Sequence, residues 1–244
     1  MRILDDKKRG LVWCKLGKFE DFKAEDHEAH NDFRKELNSW STHPNFAKIQ
    51  EYILGSSPNG GYSDFGSFMQ SYNHDNRSVF YAFDHGEMVG VCVTTSNAYL
   101  HDYVKLKMYL QFCKEHGIDG VNGCLSVSDI NYAFNNDNGK NNSYIDYIAT
   151  NPKLFGRGYG TRMVSSIKNI PTFFLGVNDK SEVNLTRTCI HNTNDASKEI
   201  FKRNGFLPIY EDYISLQGFH EYFNIPNAPD SNSLIIPDNN LLLP

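Results

Sequence analysis

Three glycines at alternate positions, Gly156, Gly158 and Gly160, stand between a strand-like run, SYIDYIAT (143–150), and a segment that reads as a helix over 161–169. One residue without a Cβ suffices for a tight turn, so three imply a backbone that comes close to something. The chemistry on offer is anion binding. A helix N-terminus presents N–H groups without partners and a partial positive charge, and a phosphate placed there is held by both. The amides from about Arg157 to Thr161 would face the anion, with Arg157 and Arg162 adding charge nearby. Two familiar cradles fail. The P-loop needs G-x-x-x-x-G-K-[ST], but Thr-Arg-Met follows Gly160. The dinucleotide fingerprint needs G-x-G-x-x-G, whereas the spacing here is G-x-G-x-G and the unit follows an antiparallel hairpin.

The elements that must position this turn are legible on both sides of it. Upstream, a strand is expected at 11–19, a polar helix at 26–40, a helix opened by Pro44 and running to 54, a loop at 55–61 and a short helix at 62–72. SVFYAF (78–83) and MVGVCVTT (88–95) form a hairpin around DHGE, where Gly86 takes positive φ. Apolar residues at 99, 103, 106, 110 and 113 predict a helix over 99–116, ended by Gly117. The Asn-, Asp- and Gly-rich stretch 119–142 reads as a long loop with a short strand at 124–127. Downstream come a strand at 185–192, a helix from Asn194 to Arg203 ended by Asn204-Gly205, and a last strand at 206–216. The remainder from Phe219 carries four prolines and reads as a surface tail. The order predicts an α/β fold with a mixed, mainly antiparallel central sheet flanked by helices.

Composition narrows the class. A hydrophobic share of 40% is that of a chain with a packed core. A net charge of −5 lacks the basic surplus of a phosphate-backbone binder, so no nucleic-acid partner is expected. Cys14, Cys92, Cys113, Cys124 and Cys189 form no C-x-x-C pair and are odd in number, which predicts reduced thiols, no metal site and a cytoplasmic setting. MRILDDKKRG lacks the apolar core of a secretory signal, and no apolar run reaches the roughly 20 residues of a membrane span.

Two stretches carry a resemblance. The run from Thr150 to Gly160 is similar to the turn of the GNAT superfamily of N-acetyltransferases, [Q/R]-x-x-G-x-[G/A] entering a helix, with Phe155 in the usual Gln/Arg position. NDASKEIFKRNGF resembles the second GNAT signature, N-x-x-A-x-x-x-Y-x-x-x-G-F, through Asn194, Ser197, Phe201, Gly205 and Phe206. The resemblance covers about 78–216 and extends more weakly over 11–72. It implies a GNAT-like acyl-CoA N-acyltransferase fold: one domain over 1–218 with an enlarged N-terminal helical region and an insertion at about 99–142, then a tail over 219–244. It implies an acetyl-CoA-dependent N-acetyltransferase in which a primary amine attacks the thioester directly. The CoA pyrophosphate would lie on the turn Phe155, Gly156, Arg157, Gly158, Tyr159, Gly160 and Thr161. The pantetheine arm would run along Ile148, Ala149 and Thr150, where the family's fourth and fifth strands splay apart, with Asn194 and Phe201 beside it. A backbone N–H near Ile148 or Ala149 would stabilise the carbonyl oxygen.

In many relatives the tyrosine of the second signature protonates the leaving thiolate. Here that position is Phe201, which has no proton to give. Tyr159, Tyr210 and Tyr213 are the substitutes nearby, and the departure keeps open a catalytically weak CoA-binding module acting as a sensor or interaction protein. Base candidates are Asp146, His191 and Glu211. Asp146 alternates with Ile145 and Tyr147, which by strand period would turn it to solvent. The expected partner is a small-molecule or peptide amine, with no nucleic acid or membrane, and a homodimer is left open. Glu25, Asp26, Glu28, Asp32 and Asp64, in the region expected to set the acceptor, would suit a cationic amine, although charge runs of this kind are usually solvated helix faces.

Overall fold

The computed structural model describes residues 1–18, 21–54, 64–74, 76–96, 101–136, 143–168, 185–209 and 218–225. Eight strands form one sheet: β1 (Arg2–Asp6), β2 (Leu11–Lys15), β3 (Arg77–Asp84), β4 (Glu87–Ser96), β5 (Ser143–Thr150), β6 (Thr186–His191), β7 (Leu207–Pro208) and β8 (Phe219–Asn224). Their spatial order is β1-β2-β3-β4-β5-β6-β8-β7, and every pairing is antiparallel except β5 with β6. Among the described residues the helices are α1 (Ala24–Trp40), α2 (Phe46–Ile49), α3 (Phe65–Gln70), α4 (His101–Glu115), α5 (Val127–Asn136), α6 (Tyr159–Ile167) and α7 (Asp195–Arg203), with a π-helical turn Gln50–Leu54 directly after α2.

Strand alternation builds a core on each face of the sheet. On β3, Phe80 and Ala82 face Met163, Val164 and Ile167 of α6 and Phe201 of α7, while Val79 and Tyr81 face Leu37 and Trp40 of α1 and Phe68 and Met69 of α3. A third cluster joins Leu106, Tyr109 and Cys113 of α4 to Ile130 and Ala133 of α5 and Phe223 of β8. The β3–β4 turn takes positive φ at His85 (49°) and Gly86 (83°), the backbone a two-residue hairpin needs.

The structure departs from the sequence expectations in four places. β1 is a strand that RILDD, short and charged, does not announce; it pairs with β2 across the 7–10 turn. The stretch read as a loop holds α5. Its start is capped reciprocally, Ser126 Oγ accepting from the Asp129 N–H at 3.0 Å and Asp129 Oδ2 from the Ser126 N–H at 3.2 Å, and Ile130 and Ala133 supply its buried face. Residues 124–127 are not a strand: the Leu125 N–H donates to the Pro208 carbonyl at the sheet's far edge (3.0 Å). Finally, 219–244 is not all tail. FHEYFN is β8, inserted between β6 and β7, and the prolines that disguised it begin only at Pro226. Of the strand expected at 206–216, β7 covers Leu207–Pro208, and 210–217 lie outside the described residues, as do the 55–61 loop and the chain beyond 225.

Candidate functional site

β5 is hydrogen-bonded to β4 along its whole length, but to β6 only through Ser143, Tyr144 and Ile145 opposite Thr186, Arg187 and Thr188. β6 then follows β8, pairing Cys189 with Glu221 and His191 with Phe219. From Asp146 to Thr150 the second edge of β5 therefore has no strand partner among the described residues, and a wedge opens in the middle of the sheet. Two adjoining cavities fill it, of about 680 Å³ and about 380 Å³.

The larger cavity has the edge of β5 (Ile148, Ala149, Thr150), the glycine turn, the start of α7 and the segment 48–53 as its walls. Asn151, fully buried, anchors the turn: its Nδ2 donates to the Met88 carbonyl (3.0 Å) and its Oδ1 accepts from the Lys153 N–H (3.1 Å). Gly156 (φ 81°) and Gly158 (φ 80°, the N-cap of α6) hold left-handed backbone, and a Cβ on either would project into open space. Gly160 does different work. Its φ is ordinary, and a Cβ there would come 3.0 Å from Ile200 Cδ1, so it lets α6 lie close to α7.

The first ladder bond of α6 runs from the Arg162 N–H to the Gly158 carbonyl (3.1 Å), which leaves the Tyr159, Gly160 and Thr161 N–H groups without intrahelical acceptors at the cavity wall. The Arg157 N–H belongs to the turn, donating to the Leu154 carbonyl at 3.3 Å, so the expected row of anion-facing amides starts later. Arg162 is committed elsewhere. Its guanidinium bonds the Arg9 carbonyl (2.7 Å), the Gly10 carbonyl (2.6 Å) and Asp84 (3.1 Å). The Tyr159 hydroxyl also donates to Asp84 (3.0 Å), away from the cleft, which removes Tyr159 as a proton donor although its backbone stays in the cradle.

Asn194 is the N-cap of α7, its Oδ1 accepting from the Ser197 N–H at 3.1 Å, and it lines both cavities. Phe201 does so too. It is 2% exposed and packs edge-on against Phe206 at 4.9 Å between ring centroids. Phe155 lines the larger cavity, half-buried.

Asp146 lines the smaller cavity. Strand period would send it to solvent, but the β4–β5 register shifts here: Val93 faces Tyr147 and Thr94 faces Ile145, so Asp146 is the extra residue of a β-bulge. Bulges re-aim side chains, and this one turns the carboxylate into the wedge, 9% exposed. Thr95 Oγ1 donates to it (2.7 Å) and Arg77 Nε stands 3.9 Å away. Burial pushes its pKa up; the Thr95 bond and the charges of Arg77 and Arg187 offset this only in part. His191 lies at the rim. Its Nδ1 accepts from the Thr193 N–H (3.3 Å) and pairs with Thr193 Oγ1 (2.8 Å), so in the neutral ring that satisfies this bond the proton is on Nε2. Glu211, Tyr210 and Tyr213 lie outside the described residues.

Sequence reasoning missed Glu221, Tyr144 and Tyr52. Glu221, 7% exposed on β8, lines the smaller cavity, accepts from Cys189 Sγ (3.7 Å) and sits 3.9 Å from Arg187 Nη1. It was hidden because its strand read as tail. The acidic residues expected near the acceptor do not line either cavity. Asp26 is buried under the N-terminal ammonium (2.8 Å), Asp64 caps α3 through the Ser67 N–H (2.7 Å), and Glu25, Glu28 and Asp32 are exposed on α1.

Neither a scan of protein-family models nor a search of curated proteins gives a match. Solved structures do. AAC(6′)-Ib in complex with paromomycin and acetyl-CoA is 12% identical, aligning over 94% of this chain and 99% of that one with a TM-score of 0.50. AAC(6′)-Ib in complex with ribostamycin and coenzyme A is 11% identical over the same shares, with a TM-score of 0.51. An uncharacterized protein from Bacillus halodurans is 13% identical, covering 89% of this chain and 85% of that one, with a TM-score of 0.51. At such identities the likeness speaks to architecture: this chain has the GNAT acyltransferase fold. Among the described residues no helix is long and apolar enough to cross a membrane, and no cluster of three His, Cys, Asp or Glu side chains could hold a metal.

Proposed function

We propose that the chain is an acetyl-CoA-dependent N-acetyltransferase that acts on a small cationic amine. The observation that carries this is the wedge between β5 and β6, with an N–H cradle at one end and a buried carboxylate at the other. The fit to CoA rests on the chain's own groups. The Tyr159, Gly160 and Thr161 amides and the field of α6 suit a pyrophosphate. The edge of β5 that has no strand partner among the described residues suits the amides of a pantetheine arm, which would lie there as an added strand, and Asn194 adds a side-chain amide. Similar solved structures hold acetyl-CoA or CoA, which supports the same reading.

The chemistry asks for three things: an amine without its extra proton, support for the carbonyl oxygen as charge develops, and a proton for the departing thiolate. Asp146 is the group placed to take the amine's proton, its basicity raised by burial. An N–H on the free edge of β5, at Ile148 or Ala149, is placed to hold the oxygen. Asp146 and Glu221 put two carboxylates in the smaller cavity, each 3.9 Å from an arginine (Arg77 and Arg187) that is not part of the cavity's described lining, and Tyr144, Tyr147 and Phe219 give it aromatic walls. Such a site favours an ammonium-bearing acceptor.

The test is release of free CoA on incubation with acetyl-CoA and a panel of polyamines, aminoglycosides, aralkylamines and peptides. Turnover concentrated in the cationic members is expected. A second reading, a CoA-binding module with little chemistry, is favoured by Phe201 alone; CoA binding without turnover on any amine would establish it instead.

A further inference from the structure

We propose that Tyr52 is the proton donor to the departing thiolate, the role Phe201 cannot fill; this rests on the N-acetyltransferase reading above. The two cavities share six lining residues, Tyr52, Ile53, Ile148, Asn194, Ser197 and Phe201. Acyl transfer between a thioester held in one cavity and an amine held in the other takes place at this junction. Ile53, Ile148 and Phe201 have no exchangeable side-chain proton. The Asn194 amide and the Ser197 hydroxyl are far weaker acids than a thiol. A phenol, at about 10 against about 8.5 for a thiol, is within reach of a proton transfer to sulfur.

The fold brings Tyr52 to this point by an uncommon device. It sits on the π-helical turn Gln50–Leu54, and such turns recur at functional sites. From there its hydroxyl crosses the wedge to donate to the Thr193 carbonyl, one residue before the N-cap of α7, and its ring lies 6.1 Å from that of His191. That bond is long (3.3 Å) and exposed, so water can replace it when the hydroxyl turns to sulfur. The other described tyrosines of the cleft lie off this junction. Tyr159 lines only the larger cavity and its hydroxyl bonds Asp84, while Tyr147 and Tyr144 line only the smaller one, and burial holds the Tyr144 phenol far above its usual range.

In the step itself the amine nitrogen bonds to the carbonyl carbon and the C–S bond breaks with its electron pair left on sulfur. The Tyr52 proton passes to that sulfur, giving the free thiol. The tyrosinate regains a proton, through water, from the one the nitrogen loses, so amine and thioester become amide and thiol with nothing left over.

The experiment compares wild type, Tyr52→Phe, Phe201→Tyr and the double variant, using acetyl-CoA and an amine the wild type turns over. Tyr52→Phe should lower kcat about 100-fold, the order of general-acid effects, with KM for acetyl-CoA and Tm unchanged. Adding Phe201→Tyr to it should restore most of the loss, because a phenol then returns to the family's own position. The alkaline fall in the wild-type pH profile should vanish in Tyr52→Phe. Among the described residues, the other ionisable groups lining these cavities are Lys48, Glu51, Tyr159 and Asp195 in the first and Tyr144, Asp146, Tyr147, Cys189, His191 and Glu221 in the second. A surviving alkaline limb would assign it to one of these and overturn the proposal, as would an unimpaired Tyr52→Phe in an active enzyme. A wild type silent on every amine would instead overturn the reading of the site itself.

Discussion

Asp146 shows how one side chain carries both a cost and a use. Burial raises its pKa above the ordinary carboxylate value of 3.8. The folded protein therefore holds this proton more tightly than the unfolded chain does. Its contribution to stability is fully present below pH 3.8 and is lost as pH rises through the higher folded value. At neutral pH the ionised group opposes folding. Asp146→Asn, which keeps an acceptor for Thr95, should leave Tm at pH 7.5 unchanged or raised and flatten its decline above pH 4, while kcat falls about 100-fold. A melt series and an activity assay on the same preparation check both halves; a lower Tm at neutral pH with full activity would remove Asp146 from the chemistry. Asp146 was legible in the sequence as a candidate, but its direction was not. Period-2 reasoning turns it outward, and only the register shift opposite Thr94 brings it into the wedge. Tyr52 was less legible still, because nothing in a helical pattern marks the residue where the winding widens.

At the scale of elements, the cradle depends on where α6 begins, and that is set by a strap of charged bonds. Asp84 at the end of β3 accepts from Tyr159 and Arg162 at the start of α6, and Arg162 also reaches the carbonyls of Arg9 and Gly10 in the β1–β2 turn. Burial pushes the Asp84 pKa up, but the bonds from Tyr159, Arg162 and His85 outweigh it, and the net shift is downward. The sign is opposite to that of Asp146: this group stabilises the fold above its unfolded value of 3.8, and the contribution is lost on acidification. Asp84→Asn should cost about 1–3 kcal/mol at pH 7, an effect that shrinks below pH 4, and should weaken CoA binding through displacement of α6. Denaturant melts at pH 7 and pH 3.5 measure the first, and titration with CoA the second. An equal loss at both pH values would show that charge is not what the strap uses. The α6–α7 half of the molecule was legible because each helix has its own stop and start residues: Asn194 caps, Asn204-Gly205 terminates, and the glycines mark the entry to α6. α5 and β8 were not, because an Asn- and Asp-rich composition hid the Ser126–Asp129 cap and downstream prolines hid FHEYFN.

The whole molecule is a sheet held open at its centre. β4 and β8 hold β5 and β6 from outside, so the wedge persists although the two strands pair over only three residues. Among the described residues this opening leaves backbone groups on β5 without strand partners, and a ligand that supplies partners stabilises the fold by mass action. Acetyl-CoA at 100 times its Kd should add about 2.7 kcal/mol, which raises the Tm of a domain this size by several degrees. NADH and ATP at the same concentration should raise it less, since neither carries a pantetheine arm for the β5 edge.

The most direct test of the central claim is the affinity of acetyl-CoA for wild type and for Gly158→Val, measured by calorimetry on protein shown to be folded. Gly158 holds φ 80°, and its missing Cβ leaves the space before the α6 amides open. Valine there both strains the backbone, by about 1–2 kcal/mol, and fills the approach. Wild type should bind, and the folded variant should lose at least roughly 100-fold in affinity, about 2.7 kcal/mol of binding energy. Equal affinities, or no binding to the folded wild type, would contradict that claim.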